Sequence, residues 1–366
     1  MRFPEFSGEW EMSSIGEQFE LYSGNTPSRM NKNQFDGSIN WITSGELKEH
    51  YISDTKEKIS EEAAKNNSLK LLPVGTFVIA IYGLEANGVR GTCSITTRES
   101  TISQACMAFT SKMDIQNEFL YSWYKKHGNI IGIKYAQGTK QQNLSYDIIE
   151  RFNISYPCME EQKKLIRFIS LIDQRIATQN KIIYKLKSLI RGIAQNMVHR
   201  GKPNVRLSDC MICNSSTLQE SEVLESGTYP VYGANGIVGY LDCYATLNEA
   251  IYIIKDGSGV GTVFYVAGKC SAAGTLNTLQ AKEGYSLQYL YYLLTVFNFE
   301  PYKTGMAIPH IYFKDYGKAK VFCPSHSEQF KYTKLLSTID SKLLAEQNAL
   351  VNYNLQKQYL LRQMFI

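Results

Sequence analysis

The stretch DGSGVGTV (256–263) has the residues most suggestive of chemistry, since glycines that follow a strand can bring backbone N–H groups onto a phosphate. Such a turn must open a helix whose N-terminus faces the anion. Here VFYVAG follows, which reads as a second strand, so the segment is expected to be a tight hairpin that exposes Lys255 and Ser258. A nucleotide P-loop needs Gly-Lys followed by Ser or Thr. The Gly-Lys pairs at 201–202, 268–269 and 317–318 are followed by Pro203, Cys270 and Ala319, which argues against ATP hydrolysis. None of the nine prolines adjoins another, so the Asn/Asp-Pro-Pro-aromatic loop with which adenine methyltransferases hold a flipped base is absent. Cys210 and Cys213 have the spacing of a metal pair, but structural zinc takes four ligands. No second pair exists, and Cys243 or Cys270 would join only through tertiary folding, so no metal is expected. The five histidines are isolated and no Ser/His/Asp set is visible, so His310 is expected to be structural or ligand-facing rather than catalytic.

The elements that position these residues come in two copies. EEQKKLIRFISLIDQRI (160–176) lies over SEQFKYTKLLSTIDSKL (327–343) at an offset of 167, matching Glu161/Glu328, Gln162/Gln329, Lys164/Lys331, Ser170/Ser337, Ile172/Ile339 and Asp173/Asp340. Pro157 and Pro324 are expected in the first turn of each helix, and Ser325 with Glu328 has the pattern of a capping box. Cys158 stands where the second copy has Ser325. Apolar residues then recur in steps of three and four: Ile169, Ile172, Ile176, Ile183, Leu186, Ile190, Ile193 and Met197 in the first helix. The second has Leu336, Ile339, Leu343, Leu350, Tyr353, Leu360 and Met364. A period of 3.5 residues held over about four heptads is a coiled-coil seam, and the two seams match well enough to pair with each other. Each helix would be roughly 60 Å long at ~1.5 Å per residue. Gln179 interrupts the first seam and Glu346, with Lys357, the second. The equivalent pair Gln179 and Glu346 either sets register or marks a frayed, open seam.

The repetition extends upstream. Tyr135 and Gly138 correspond to Tyr302 and Gly305 at the same offset, whereas Gly91-Thr92 corresponds to Gly261-Thr262, and FLYSWY (119–124) to YLYYLL (289–294), at 170. FVIAIYG (77–83) has its counterpart in EAIYIIKDG (249–257). Short Val/Ile/Tyr/Phe-rich runs between Gly turns, with one or two short helices, make each copy an α+β unit. Four segments are expected: a globular unit (1–156), a spacer helix (157–200), a second globular unit (201–323) and a C-terminal spacer helix (324–366). If the helices pair antiparallel, the two units are related by a pseudo-twofold axis and separated by a rod. Such a pair of modules suits two half-sites spaced along DNA, and because the modules differ, the half-sites would differ too.

Bulk properties fit this. Of 366 residues, 44% are hydrophobic and 20% charged, as in an ordinary globular protein. No apolar run suits a signal peptide or membrane span, and eight scattered cysteines read as reduced thiols, so a cytoplasmic protein with no membrane contact is expected. The net charge of +5 is uneven. Residues 1–156 carry 16 basic and 18 acidic side chains, residues 157–200 carry 9 and 3, residues 201–323 carry 9 and 10, and residues 324–366 carry 5 and 3. The excess sits on the first long helix, which permits a nucleic-acid partner and equally suits a solvated helix face.

Taken together, the chain resembles the specificity subunit of a type I restriction-modification system along its whole length. The resemblance rests on INWITSGEL (39–47), ISQACMAF (102–109) and NEFLYSWY (117–124) in the first unit. In the second it rests on GTYPVYGANGIVGYLD (227–242), DGSGVGTVFYVAGKCSAAGTLN (256–277) and GMAIPHIYFKDY (305–316), together with the two helix starts. It implies two target recognition domains, each reading half of a split DNA site, and helices that fix the gap and dock two methyltransferase subunits. Those subunits would use S-adenosylmethionine, and restriction/translocase subunits would join through the complex and use ATP and Mg. The specificity subunit itself would bind no cofactor and carry no catalysis.

Base edges are read by Arg, Lys, Asn, Gln and hydroxyl side chains on supported loops, while Lys and Tyr often hold phosphates. The candidate DNA contacts in the first unit are Ser44, Lys48, Tyr82, Asn87, Arg90, Lys140, Gln141, Gln142 and Asn143. In the second they are Tyr232, Asn235, Lys255, Ser258, Asn277 and His310. For each, a solvated polar loop residue is the alternative, and for the whole chain a coiled-coil scaffold without DNA binding is. The globular units are close to neutral, so their own grip on phosphate would be modest.

Overall fold

The computed structural model describes residues 2–83, 91–112, 114–136 and 142–365, and it divides into two compact units. The first is Met1–Thr178 with Leu350–Ile366, and the second is Gln179–Ala349.

In the first unit the central sheet has the order Phe19–Ser23, Cys106–Ser111, Phe77–Ala80, Cys93–Thr96, Tyr51–Ile52. Neighbours are antiparallel except the last pair, which is parallel. The run FVIA explains why this strand is central. Alternation sends Phe77 and Ile79 to one face, where they join Phe119, Tyr121 and Tyr124 of the helix Asn117–Tyr135. Val78 and Ala80 face the other way, into a second core with Ile42, Ile52, Ile102 and Ala108. A strand buried on both faces has no polar side to show in its sequence. A smaller sheet has Ile39–Ile42 between Lys58–Ile59 and Ser100–Ile102, the second of these being parallel to it. Glu11–Ser14 pairs with Asn153–Tyr156, the strand that leads into the first long helix.

The second unit repeats this plan. Its main sheet has the order Met211–Ser215, Leu276–Ala281, Glu249–Ile254, Val263–Ala267, all antiparallel. Its smaller sheet puts Tyr229–Gly233 between Gly236–Leu241 and the parallel strand Ser271–Ala272. Val205–Arg206 pairs with Lys320–Val321 ahead of the second long helix. The helix Leu287–Thr295 buries Tyr289, Leu290, Tyr292, Leu293 and Leu294 in the unit's core. The glycine-rich run is the expected hairpin: Glu249–Ile254 and Val263–Ala267 pair antiparallel, and Gly257, Gly259 and Gly261 each turn the chain at φ +91°.

The long helices run Met159–His199 and His326–Met364. Each starts two residues after its proline, so Pro157 and Pro324 lie outside the first turn where the sequence pattern placed them. Their carbonyls instead accept from the side chains of Gln162 (3.0 Å) and Gln329 (2.9 Å). At the second start the Ser325 hydroxyl donates to the Glu328 carboxylate at 3.3 Å, and Glu328 N donates to Ser325 O at 2.9 Å. All fifteen seam residues are buried or half-buried. Within the first unit Ile169 shares a core with Leu360, Leu361 and Met364, Lys357 pairs with Asp173 at 2.5 Å, and Arg175 Nε donates to Tyr353 Oη at 3.1 Å. Within the second, Met197 and Leu336 share a core, and Arg200 donates to Tyr332 Oη at 2.6 Å. Gln179 there donates to the Glu346 backbone carbonyl at 3.0 Å and to its carboxylate. In both units the partners run in opposite numerical order.

Candidate nucleic-acid interface

Topology brings Ser44, Tyr82 and Asn143 of the first unit to one end of its sheets. Phe77–Ala80 and Cys106–Ser111 are antiparallel with Ala80 opposite Cys106, so the chain leaving one strand meets the turn entering the other. Ala105 O accepts from Ile81 N at 2.9 Å and from Tyr82 N at 3.3 Å. Tyr82–Gly83 then pairs with Gln142–Asn143, putting Tyr82 directly opposite Asn143, and Leu144 N donates to Ile81 O at 2.8 Å. Ile39–Ile42 and Ser100–Ile102 are parallel, and Ser103 N donates to Ile42 O at 2.9 Å. The Ser44 turn and the Gln104 turn therefore leave the smaller sheet at the same end. A groove of about 520 Å³ opens there, lined by Tyr82, Gln104, Asn143, Ser145 and Tyr146 above Ile81 and Leu144.

Gln104, Ser145 and Tyr146 are exposed members of this surface that sequence reasoning missed. Ser103-Gln104 falls between two strand-like runs, and that turn position was the available signal. Lys48 lies in a different setting. It is exposed beside a depression of about 420 Å³ that Glu46, Glu49, Asp54 and Lys56 also line, so acidic side chains outnumber basic ones there. Asn87, Arg90, Lys140 and Gln141 lie outside the described residues.

The second unit builds the corresponding end with the same hydrogen bonds. Lys255 N donates to Thr275 O and Ile311 N to Lys255 O, both at 2.9 Å. Gly257 N donates to Pro309 O at 2.9 Å, and Asp256 bridges to His310 where the first unit has Tyr82 opposite Asn143. Ala273 N donates to Tyr232 O at 2.8 Å, and since Tyr232 and Ala272 are parallel partners, the Asn235 turn leaves at this same end. Asn235 and Ser258 are exposed, and His310 is half-buried with its ring 5.3 Å from Tyr312. Lys255 extends to Ser216 O at 3.3 Å, and burial pushes the Tyr232 hydroxyl up.

Asn277 needs correction. The sequence reading put it on a loop, but it stands within the strand Leu276–Ala281, 3% exposed, with its Oδ1 taken by Ser215 Oγ at 2.6 Å. It braces the sheet from inside. Tyr82, Asn143 and Tyr232 likewise belong to short strands rather than free loops, which fixes their backbones where they meet solvent. Cys210 and Cys213 point to different surroundings. Cys210 is buried beside Cys323, which pushes its thiol up, and burial raises the Cys213 thiol to about 11. Among the described residues no group of three or more His, Cys, Asp or Glu side chains could hold a metal ion, and no helix is long and apolar enough to cross a membrane.

Two units that share the order of four antiparallel strands thus present different polar side chains from equivalent ends, and the sequence comparisons likewise find two copies. The family model described as type I restriction modification DNA specificity domain matches twice, over residues 7–188 and 202–353. The chain belongs to this family. Among its relatives, the type I restriction enzyme MjaIX specificity subunit of Methanocaldococcus jannaschii is 29% identical over 185 residues, 49% of this chain and 42% of that one. The EcoR124I/EcoR124II specificity subunit of Escherichia coli is 27% identical over 170 residues, 45% of this chain and 41% of its own length. The match therefore spans less than half the length of these two relatives. The EcoprrI specificity subunit of Escherichia coli is 22% identical over 370 residues, covering 91% of this chain and 88% of that one. In fold the specificity chain is similar to the type I restriction-modification S subunit from M. genitalium, with a TM-score of 0.64 at 17% identity over 100% of this chain and 99% of that one. It is also similar to a chain from a study of complex assembly and conformational transition in a type I restriction-modification system, with a TM-score of 0.61 at 14% identity over 98% of each chain.

Proposed function

We propose that this chain is the DNA-recognition subunit of a type I restriction-modification complex and carries no catalytic chemistry of its own. Its two globular units act as target recognition domains, residues 1–156 reading one half of a split site and residues 201–323 the other. One observation carries this reading: a family match that occurs twice goes with two units that expose different polar residues on a shared order of four antiparallel strands. Because those residues differ, as Tyr82 and Asn143 differ from Asp256 and His310, the target is bipartite and asymmetric.

The helices 157–200 and 324–366 pair as an antiparallel coiled coil that sets the gap and docks two adenine methyltransferase subunits. Support comes from the opposite numerical order of their partners and from large apolar side chains left exposed. Val351, Leu355 and Tyr359 of the second helix, spaced four apart, share one face. S-adenosylmethionine, ATP and Mg serve the partner subunits, and restriction/translocase subunits join through the complex in the cytoplasm. The test is to co-express the chain with the methyltransferase encoded beside it and to map adenine methylation in host DNA. A split, asymmetric methylated motif is expected. A stable complex that leaves the DNA unmethylated would count against sequence recognition and favour a scaffold.

A further inference from the structure

The matched glutamines of the two helix starts form the same buried joint in both units. Gln162 is 0% exposed and Gln329 2% exposed, although each is a polar residue at the start of a long helix. Gln162 Oε1 accepts from Gln116 N at 3.0 Å, while its Nε2 donates to Asp114 O at 2.7 Å and to Pro157 O at 3.0 Å. Gln329 Oε1 accepts from Ser286 N at 2.9 Å, and its Nε2 donates to Pro324 O at 2.9 Å.

Gln116 and Ser286 are the capping residues of the helices Asn117–Tyr135 and Leu287–Thr295. Within a single helix, a capping box uses the side chain three residues on to satisfy the N–H of the capping residue. Here a different helix supplies that group. In the second unit the box is split between them: Ser286 Oγ accepts from Tyr289 N at 3.3 Å, and Gln329 holds the Ser286 N–H. An amide fixed at both its oxygen and its nitrogen sets direction as well as contact. The second long helix grips its unit again three turns later, at the other repeated polar position. Asp340 accepts from Tyr292 Oη at 2.5 Å, whereas the equivalent Asp173 pairs with Lys357 of the other long helix at 2.5 Å and lies 4.0 Å from the His50 ring. In the second unit two grips along the helix fix its orientation, and in the first the three hydrogen bonds of Gln162 do so.

The gripped short helices carry the sheets, and the sheets carry the recognition ends. We propose that Gln162 and Gln329 are positioning residues, each setting the angle at which a recognition end is held on its long helix and so the spacing between the bases the two ends read. This rests on the reading given under Proposed function.

The experiment compares the full complex, assembled with its methyltransferase subunits, for wild type, Gln162→Met, Gln329→Met and Gln162→Glu. Methionine keeps the volume and removes every hydrogen bond, while glutamate keeps the acceptor for the cap N–H and loses both donors. Methylated sites are mapped by sequencing, and thermal unfolding is followed in parallel. The expected result is unchanged half-site sequences with methylation spreading to gaps one base longer or shorter, at least ten-fold more often than in wild type. Variants that melt lower yet keep the wild-type gap would overturn the proposal, since that is what a purely structural amide would do. Loss of soluble methionine variants leaves Gln162→Glu to decide in the same way. A wild-type complex that gives no split motif would overturn the recognition reading itself, and this proposal with it.

Discussion

At the scale of single residues, burial decides which of the eight cysteines can react. Cys93 and Cys106 sit inside the sheets of the first unit, and removal from water pushes both thiols up to about 12. At pH 8 a thiol of that kind is almost wholly protonated, and only the thiolate is nucleophilic. Cys158 and Cys243 are exposed. Iodoacetamide applied to the native chain at pH 8 should therefore label Cys158 and Cys243 within minutes and leave Cys93 and Cys106 unmodified until the protein is unfolded. Peptide mass mapping reads this directly, and early labelling of Cys93 or Cys106 would show that the sheet opens. The same burial limits what residue type can say about the interface. Ser258 and Asn277 are both polar and both adjoin glycine-rich stretches, yet one is exposed at a hairpin and the other is locked inside a strand by Ser215. A strand shows its two faces in alternation, and nothing in TLNTLQ reveals which face a partner will cover.

At the scale of elements, the two long helices were legible because an apolar period near 3.5 residues persists for about 40 residues and averages over local exceptions. The strands were not legible in order. They are short, several are buried on both faces, and their neighbours are set by pairings across tens of residues, as between Cys106–Ser111 and Phe19–Ser23. The joints made by Gln162 and Gln329 escaped for a related reason, since the sequence match flags the amides while their partners lie more than forty positions upstream. The polar interruption of the seam is now explained by one contact: Gln179, buried, meets Glu346, which Lys342 also pairs at 2.5 Å. Replacing one partner strands the other's polar groups, which typically costs about 1–3 kcal/mol, while replacing both by apolar residues can be nearly neutral. Gln179→Leu and Glu346→Leu should each lower stability by about that amount, and the double variant should recover most of it. Urea unfolding of the four proteins measures the coupling. Additive losses would mean that the pair is a frayed stretch of seam with no role in register.

At the scale of the whole molecule, charge separates two ways of meeting DNA. The segments that hold the recognition ends are nearly neutral, with 16 basic against 18 acidic side chains in residues 1–156 and 9 against 10 in residues 201–323. The first long helix has 9 against 3. Each phosphate neutralised by a protein contributes about −0.9 to the slope of log affinity against log salt. If the near-neutral ends do the reading, few phosphates are gripped, and the chain alone should bind a cognate duplex with a slope no steeper than about −3. The methyltransferase complex, with its added surface, should show a distinctly steeper one. Fluorescence anisotropy between 50 and 200 mM salt (a range in which a protein gripping six or more phosphates loses about a thousand-fold or more) resolves the difference. Lys185 and Lys187 decide between the surfaces: they belong to the long helix and to none of the strands or turns that form the recognition ends, so their change to Gln should leave that slope unchanged. A slope for the isolated chain that is steep and collapses in this variant would move DNA binding onto the helix, and the equivalent ends of the two units would then need another partner.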